Sequence, residues 1–416
     1  YVAELGLVAA RELGVTKVLI GRDTRESGKQ LETALANGLL AGGVSVELLG
    51  VAPTPAIAFL AAKRGCASAA ITASHNPYLD NGVKLFANGG VKLSDAQQDA
   101  IESHMTGSAT VASAPATQVD LLGEYASHIV GLFPVLAFAN IRVVLDCANG
   151  AMSDVAPEVF ARLGATVIVL NDRPNGKNIN EGCGATHPEV VSEAVRLHKA
   201  DLGLAFDGDG DRVIAVDHIG DVVDGDHLIA LAAIDLHKRG KLKSNSVAVT
   251  VMTNAGFHQA MTKAGINVIT TPVGDRNILV AFDEHGVVLG GEQSGHIIYR
   301  DYATTGDGLL AGAMLVDLVR REAKPLATLA RNAMTSLPQT LINIRVAQVV
   351  NSPAEDLAAE ITDATKRLDG IGRVLLRASG TEPVVRVMVE AASQETADAV
   401  AQGLAEVVSQ RFGGVR

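Results

Sequence analysis

Five polar clusters in this 416-residue chain have residue types and spacings suited to chemistry rather than packing. The most specific is Asp207-Gly208-Asp209-Gly210-Asp211-Arg212, which follows the apolar run Leu202–Phe206. Three carboxylates at alternate positions repel one another unless a cation or protons intervene. The intervening glycines let the backbone fold so that the carboxylates converge, and hard carboxylate oxygens suit Mg²⁺. A calcium loop is excluded by spacing, because Arg212 stands where its Gly belongs and His218 where its Glu belongs. The second cluster, Thr72-Ala73-Ser74-His75-Asn76-Pro77, puts a serine in a turn after an alanine-rich run, with Lys84 shortly beyond. From local chemistry Ser74 is either a helix cap or a nucleophile. It is not a hydrolase elbow, since no G-x-S-x-G is present.

Three further clusters would bind rather than react. Arg377-Ala378-Ser379-Gly380-Thr381-Glu382-Pro383, with Arg386 beyond, combines guanidinium, hydroxyls and an exposed backbone. It reads as an anion cradle or as a polar hairpin turn. Gly290-Gly291-Glu292-Gln293-Ser294-Gly295-His296 offers hydrogen-bonding groups suited to sugar hydroxyls. Gly21-Arg22-Asp23-Thr24-Arg25-Glu26-Ser27-Gly28 lies at a strand-to-helix turn. There Arg22 and the helix N-terminus would favour an anion, or the charges would pair among themselves.

The elements that must position these clusters follow a repeated pattern of β-branched strand, polar turn and helix. The first unit predicts a strand near Val18–Gly21 and a helix from Ser27. The second predicts strands at 141–147 and Thr166–Leu170 with a helix through Phe160 between them. The third predicts a strand at 247–252, a helix at 256–264 and a strand at Asn267–Thr271. Short, nearly all-apolar strands alternating with helices argue sheets covered on both faces. The tail differs. Strands near LINIRVAQVV, RVLLRAS and PVVRVMVEA, with helices PAEDLAAEITDATKRL and ETADAVAQGLAEVVSQRF, read as a small α+β domain. The expected fold class is α/β: three related mixed-sheet α/β domains plus a C-terminal α+β domain, around a central cleft. Boundaries are expected near 135, 237 and 342.

Composition agrees with a multidomain globular chain. Apolar residues make up 48% and aromatics only 3%, with no Trp, so the cores must be built of Val, Leu, Ile and Ala. The net charge of −11, without a dense Lys/Arg block, argues against a general nucleic-acid binder. No apolar stretch is long enough to span a bilayer, and no secretory signal stands at the start. Cys66, Cys147 and Cys183 have no C-x-x-C spacing, which favours a reducing, cytoplasmic setting.

Taken together, and in this order along the whole chain, the motifs TASHNP, DGDGDR, GEQSGH and RASGTEP resemble the α-D-phosphohexomutase family. The Gln of GEQSGH and the Gly of RASGTEP resemble its bacterial phosphoglucosamine mutases, enzymes of the isomerase class. The resemblance implies that Ser74 is the phosphoserine, and that Asp207, Asp209 and Asp211 bind Mg²⁺ together with its phosphate. It implies that Arg22, His75, Lys84 and Arg212 surround the reacting phosphoryl group, with Lys84 as a proton-transfer partner. Glu292, Ser294 and His296 would meet the sugar; Arg377, Ser379, Gly380, Thr381 and Arg386 would hold the phosphate that is not transferred. The corresponding domains would be 1–135 for the phosphoserine, 136–236 for the metal, 237–341 for the sugar and 342–416 for the phosphate. A further N-terminal segment is expected before Tyr1, and Asn277 stands where the family commonly has an aromatic. The implied reaction interconverts glucosamine 6-phosphate and glucosamine 1-phosphate, with glucosamine 1,6-bisphosphate as activating intermediate, in amino-sugar metabolism leading to UDP-N-acetylglucosamine and peptidoglycan precursors. The implied partner is a small hexosamine phosphate, without nucleic acid or membrane, and the assembly a homodimer. A phosphomannomutase/phosphoglucomutase, a catalytically silent binding homologue and a Mg²⁺ phosphatase of another fold are the alternatives.

Overall fold

The computed structural model describes residues 1–107, 115–378 and 383–414. These divide into two compact units, one of residues 1–252 and 264–333, the other of residues 253–263 and 334–416.

The first unit holds three sheets. In the first, β1 (Lys17–Arg22), β2 (Ser45–Val51), β3 (Ala67–Ile71), β4 (Val83–Ala87), β5 (Val91–Lys92) and β6 (Thr117–Gln118) lie in the order β5-β4-β3-β1-β2-β6. The pairs around β1, β2, β3 and β6 are parallel, whereas β4 and β5 fold back antiparallel at one edge. Successive side chains of β1 serve two cores. Val18 and Ile20 pack with Leu35 and Leu39, while Leu19 packs with Ile57, Leu60 and Phe86. Helices thus cover both faces, as the unbroken apolar strands require.

The second sheet runs β11-β10-β9-β7-β8, comprising β7 (Arg142–Asp146), β8 (Thr166–Leu170), β9 (Leu202–Phe206), β10 (Val213–Asp217) and β11 (Val222–Val223). The third runs β13-β12-β14-β15, comprising β12 (Ser246–Thr250), β13 (Asn267–Thr271), β14 (Leu289–Gly291) and β15 (Ile297–Tyr299). Each repeats the scheme of the first: a parallel centre and an antiparallel strand returning at one side. The predicted strand at Thr166–Leu170 and that at Asn267–Thr271 coincide with β8 and β13.

The second unit holds the antiparallel sheet β16-β18-β17, of β16 (Gln339–Arg345), β17 (Gly372–Ala378) and β18 (Val384–Ala391). The helix Gln394–Phe412 lays Ala397, Leu404 and Val408 on Val387 and Val389. The single helix expected over PAEDLAAEITDATKRL is two, Pro353–Asp356 and Ala358–Lys366, broken at Leu357, whose φ of −121° is not helical. Within this unit, buried Glu390 accepts from Arg373 Nε at 2.9 Å and from the Ala255 N–H at 2.9 Å. It thereby caps the helix Ala255–Ala264.

Candidate active site

Three hairpins of the first unit build the site. β3 is a run of small buried residues, and β4 returns beside it with Lys84 opposite Ala70. The turn between them is the Ser74 loop, closed at its base by Thr72 N–H donating to the Gly82 carbonyl at 3.0 Å. β9 and β10 form the second hairpin, with Phe206 opposite Val213, and Asp207–Arg212 is its turn. β14 and β15 form the third, with Gly291 opposite Ile297, and residues 292–296 make its turn. The second and third turns are joined directly, Val213 N–H donating to the Gly295 carbonyl at 3.1 Å.

Ser74 is buried and has a left-handed backbone, φ +52°, unusual for a residue with a Cβ. Three neighbours hold it there. Its N–H donates to Thr72 Oγ1 at 2.8 Å, and its carbonyl accepts from Arg25 Nη2 at 3.2 Å and Asn180 Nδ2 at 2.9 Å. The same two side chains also reach the Asn76 carbonyl. Gly208 makes the close approach possible, because a Cβ there would lie 2.7 Å from the Ser74 carbonyl oxygen.

Ser74 Oγ donates to Asp207 Oδ2 at 2.6 Å. Asp207, Asp209 and Asp211 are buried and present oxygens all within 4.8 Å of one another. Lys84 Nζ reaches Asp209 Oδ2 at 2.7 Å and Asp211 Oδ2 at 3.1 Å. Burial, then the charges of Asp211 and Asp209, push the Asp207 carboxyl well above the usual range. Asp211 moves the other way: burial would raise it, but Lys84 and His296 outweigh burial and hold it low. The donor set fits a divalent cation. The Oδ1 atoms of Asp209 and Asp211 are buried without a hydrogen-bond partner among the described residues. Oxygen ligands of this kind are those of Mg²⁺.

His75 is exposed, and its imidazole is held below the ordinary value, by partial burial first and by Arg212 next. Arg212 lies against Asp211 and feels the charge of Glu292. Glu292 accepts from the Gly274 N–H at 3.0 Å, and Ser294 Oγ is buried without a partner among the described residues. His296 is only 3% exposed, with Nδ1 3.6 Å from Asp211 and Nε2 3.3 Å from Asp275. Those two carboxylates overcome its burial and raise it to about 9.

Arg22 is turned elsewhere, toward Glu32 at 3.5 Å and its neighbour's carbonyl. The arginine of that motif that reaches the serine loop is Arg25, fully buried and paired with Asp23. Arg377 and Arg386 belong to the second unit, where they stand directly opposite across β17 and β18. Ser379, Gly380 and Thr381 lie outside the described residues. Sequence reasoning assigns no site role to Arg25, Asp23, Thr54, Asn180 or Asp275. Arg25 and Asp23 sat inside a motif already singled out, whereas Thr54 and Asn180 carry no local signal and come to the site only through the fold.

Family models described as phosphoglucomutase/phosphomannomutase alpha/beta/alpha domains I, II and III match residues 1–111, 123–220 and 224–337. The model of the C-terminal domain matches 341–407. A phosphoglucosamine mutase of Frankia casuarinae is 49% identical over 403 residues, covering 95% of this chain and 88% of that protein. One of Thermobifida fusca is 47% identical over 421 residues, covering 97% and 93%. Among solved structures, a phosphoglucomutase/phosphomannomutase family protein of Burkholderia thailandensis superposes with a TM-score of 0.83 at 26% identity, covering 98% of this chain and 93% of that one. With its four domain types matched in order and its relatives near one-half identical along almost the full length, the chain belongs to the phosphoglucomutase/phosphomannomutase family, in its phosphoglucosamine mutase branch.

Proposed function

We propose that this chain interconverts glucosamine 6-phosphate and glucosamine 1-phosphate by phosphoryl transfer through Ser74. The observation that carries the reading is Ser74 Oγ, buried and 2.6 Å from a carboxylate of the Asp207–Asp211 cluster. A phosphoryl group on that oxygen would lie among three anions, an arrangement that needs a bound cation. Asp207, Asp209 and Asp211, with an oxygen of the serine phosphate, would hold Mg²⁺, which when bound supplies positive charge to the transferring phosphoryl oxygens.

In the forward step the Oγ–P bond of phosphorylated Ser74 breaks as a sugar hydroxyl oxygen bonds to phosphorus, and the hydroxyl proton passes to a base. The product is glucosamine 1,6-bisphosphate. It returns its other phosphoryl to Ser74 in the reverse sense, which releases the isomer and restores the phosphoserine. The protein's part is alignment and charge placement. Arg25 and Asn180 hold the serine loop, and Arg212 and Lys84 bring cations to the reacting phosphoryl. Lys84 keeps its proton in this arrangement, because Asp209 and Asp211 outweigh its burial. Lys84 and His75 are the two groups beside the serine loop that could move the hydroxyl proton, and Lys84 also supplies charge. Glu292, Ser294 and His296 would meet the sugar from the third hairpin.

The division of labour we infer is 1–135 for the phosphoserine, 136–236 for the metal, 237–341 for the sugar and 342–416 for the second phosphate. Among the described residues no helix is long and apolar enough to cross a membrane, and Cys66, Cys147 and Cys183 are all free and buried. The free, buried thiols support a reducing cytoplasmic setting, the phosphoglucosamine mutases among the relatives support a small hexosamine phosphate as partner, and the net charge of −11 supports a reading without nucleic acid.

The test is phosphorus NMR of glucosamine 6-phosphate with Mg²⁺ and a trace of glucosamine 1,6-bisphosphate, beside glucose and mannose 6-phosphates. Formation of glucosamine 1-phosphate, abolished in Ser74→Ala, is expected. Turnover of only glucose or mannose phosphates would reassign the substrate, and undiminished turnover by Ser74→Ala would overturn the mechanism.

A further inference from the structure

Thr54 is the first residue of the helix Thr54–Arg64, on the domain that carries Ser74, yet its polar atoms serve the metal loop of the next domain. Its Oγ1 donates to Asp209 Oδ2 at 2.6 Å, and its backbone N–H donates to the Asp209 carbonyl at 2.9 Å. Both residues are buried, Thr54 at 2% and Asp209 at 1% exposure, so these bonds face no competition from solvent. Lys84 Nζ is a second donor to the same oxygen, at 2.7 Å. Oδ2 is therefore taken twice, while Oδ1 has no partner among the described residues.

This asymmetry has a direct consequence. A carboxylate free to rotate about χ2 presents either oxygen to a cation, and fixing it in one orientation costs entropy at the moment of binding. A carboxylate already clamped through Oδ2 presents Oδ1 at no further cost. Outer-shell hydrogen bonds to metal-ligating carboxylates act in this way. The N–H of Thr54 adds a backbone tether, so that the clamp sets the position of the loop as well as the angle of the side chain.

We propose that Thr54 is a positioning residue for the metal site, orienting Asp209 so that Oδ1 is left for the cation. This rests on the reading of Asp207, Asp209 and Asp211 as the Mg²⁺ ligands. Thr54 touches no reacting atom, and its effect passes entirely through Asp209. The hydroxyl is the operative group, since valine would keep the shape and the N–H tether while leaving Oδ2 with Lys84 alone.

The experiment is Mn²⁺ binding, followed by the loss of the free-ion paramagnetic resonance signal, to the full chain after phosphatase treatment. The treatment removes any contribution from a phosphate on Ser74. Thr54→Val is expected to bind about 10- to 100-fold more weakly than the unsubstituted protein, and Thr54→Ser, which restores the hydroxyl, to bind within about threefold of it. In an Asp209→Asn background Thr54→Val should add nothing, because the group it acts through is already changed. Thermal melting establishes that each variant is folded; if Thr54→Val is not, Thr54→Ala removes the same hydroxyl without placing a methyl against Asp209. Equal affinity of Thr54→Val (or Ala) and the parent would overturn the proposal, as would a Thr54→Ser as weak as Thr54→Val. Failure of the unsubstituted protein itself to bind Mn²⁺ would instead remove the metal assignment beneath it.

Discussion

Ser74 combines two properties that conflict outside a structured site. Its φ of +52° is a conformation that costs a residue with a Cβ about 1–2 kcal/mol, and its hydroxyl faces a carboxylate whose ionisation burial already opposes. The surroundings over-determine it: Arg25 and Asn180 grip the same two carbonyls, and Gly208 presses its backbone against the serine. Strain held in this way presents Oγ to the carboxylate cluster in advance of substrate. A consequence can be measured without substrate. Ser74→Gly and Ser74→Ala both remove the nucleophile, but only glycine accepts φ > 0 freely. The glycine variant is expected to be more stable than the alanine variant by about 1 kcal/mol. A thermal melt showing the alanine variant equal or higher would mean that the backbone at this position is relaxed.

Among the elements, the helix Gly308–Glu322 shows how a terminus can brace a loop. Gly308 N–H donates to the Gly210 carbonyl at 3.0 Å in the middle of the aspartate turn. Asp307 caps the helix, accepting from Leu310 N–H at 2.9 Å and from Tyr125 Oη at 2.8 and 2.9 Å. Burial pushes its carboxyl up to about 6 despite these bonds. Because the folded value lies above the unfolded one of 3.8, the folded state binds the proton more tightly. The resulting stabilisation is complete below about pH 4 and is lost as pH rises through about 6, a change of about 3 kcal/mol at most. Asparagine keeps the cap and the acceptor but does not titrate. Asp307→Asn should therefore gain melting temperature relative to the parent as pH rises from 4 to 7. Parallel melting curves across that range would show that Asp307 is ionised throughout.

On the scale of the whole molecule, the chain carries −11 overall, yet its sheets can bring arginines together. In the second unit Arg377 and Arg386 face each other across β17 and β18, a like-charge pair that destabilises a sheet unless an anion lies between. Burial and then Arg386 hold the Arg377 guanidinium below its ordinary value, and Arg386 Nε is buried without a partner among the described residues. We expect this pair to bind a phosphate. Arg377→Gln should raise KM by about tenfold or more, the loss of one charge-assisted hydrogen-bonded contact, while leaving the melting temperature without phosphate equal or slightly higher. Inorganic phosphate should raise the melting temperature of the parent and not of the variant; protection of both alike would place the anion elsewhere.

The chemistry and the order of domains were legible in the sequence because they are written in short, contiguous segments. Three aspartates alternating with glycines declare a cation site within a few residues, the serine turn and the Arg-Ala-Ser-Gly stretch take their roles from the order of all the motifs along the chain, and apolar runs between them declare the sheets. The strand at Thr166–Leu170 was legible to the residue for the same reason. What needed the fold is everything that acts across long separations. Thr54 meets Asp209 and Asn180 meets Ser74 over more than 100 positions, and neither residue is distinguishable locally from a helix start or a loop amide. The choice between Arg22 and Arg25 was likewise tertiary: both occupy one turn, but strand β1 leaves Arg22 facing Glu32 and the turn carries Arg25 into the core under the serine loop. Local pattern thus determined which groups this protein possesses; packing of one domain's backbone against another's decided which of them meet, because hydrogen bonds and ion pairs depend on distances that no spacing in the chain encodes.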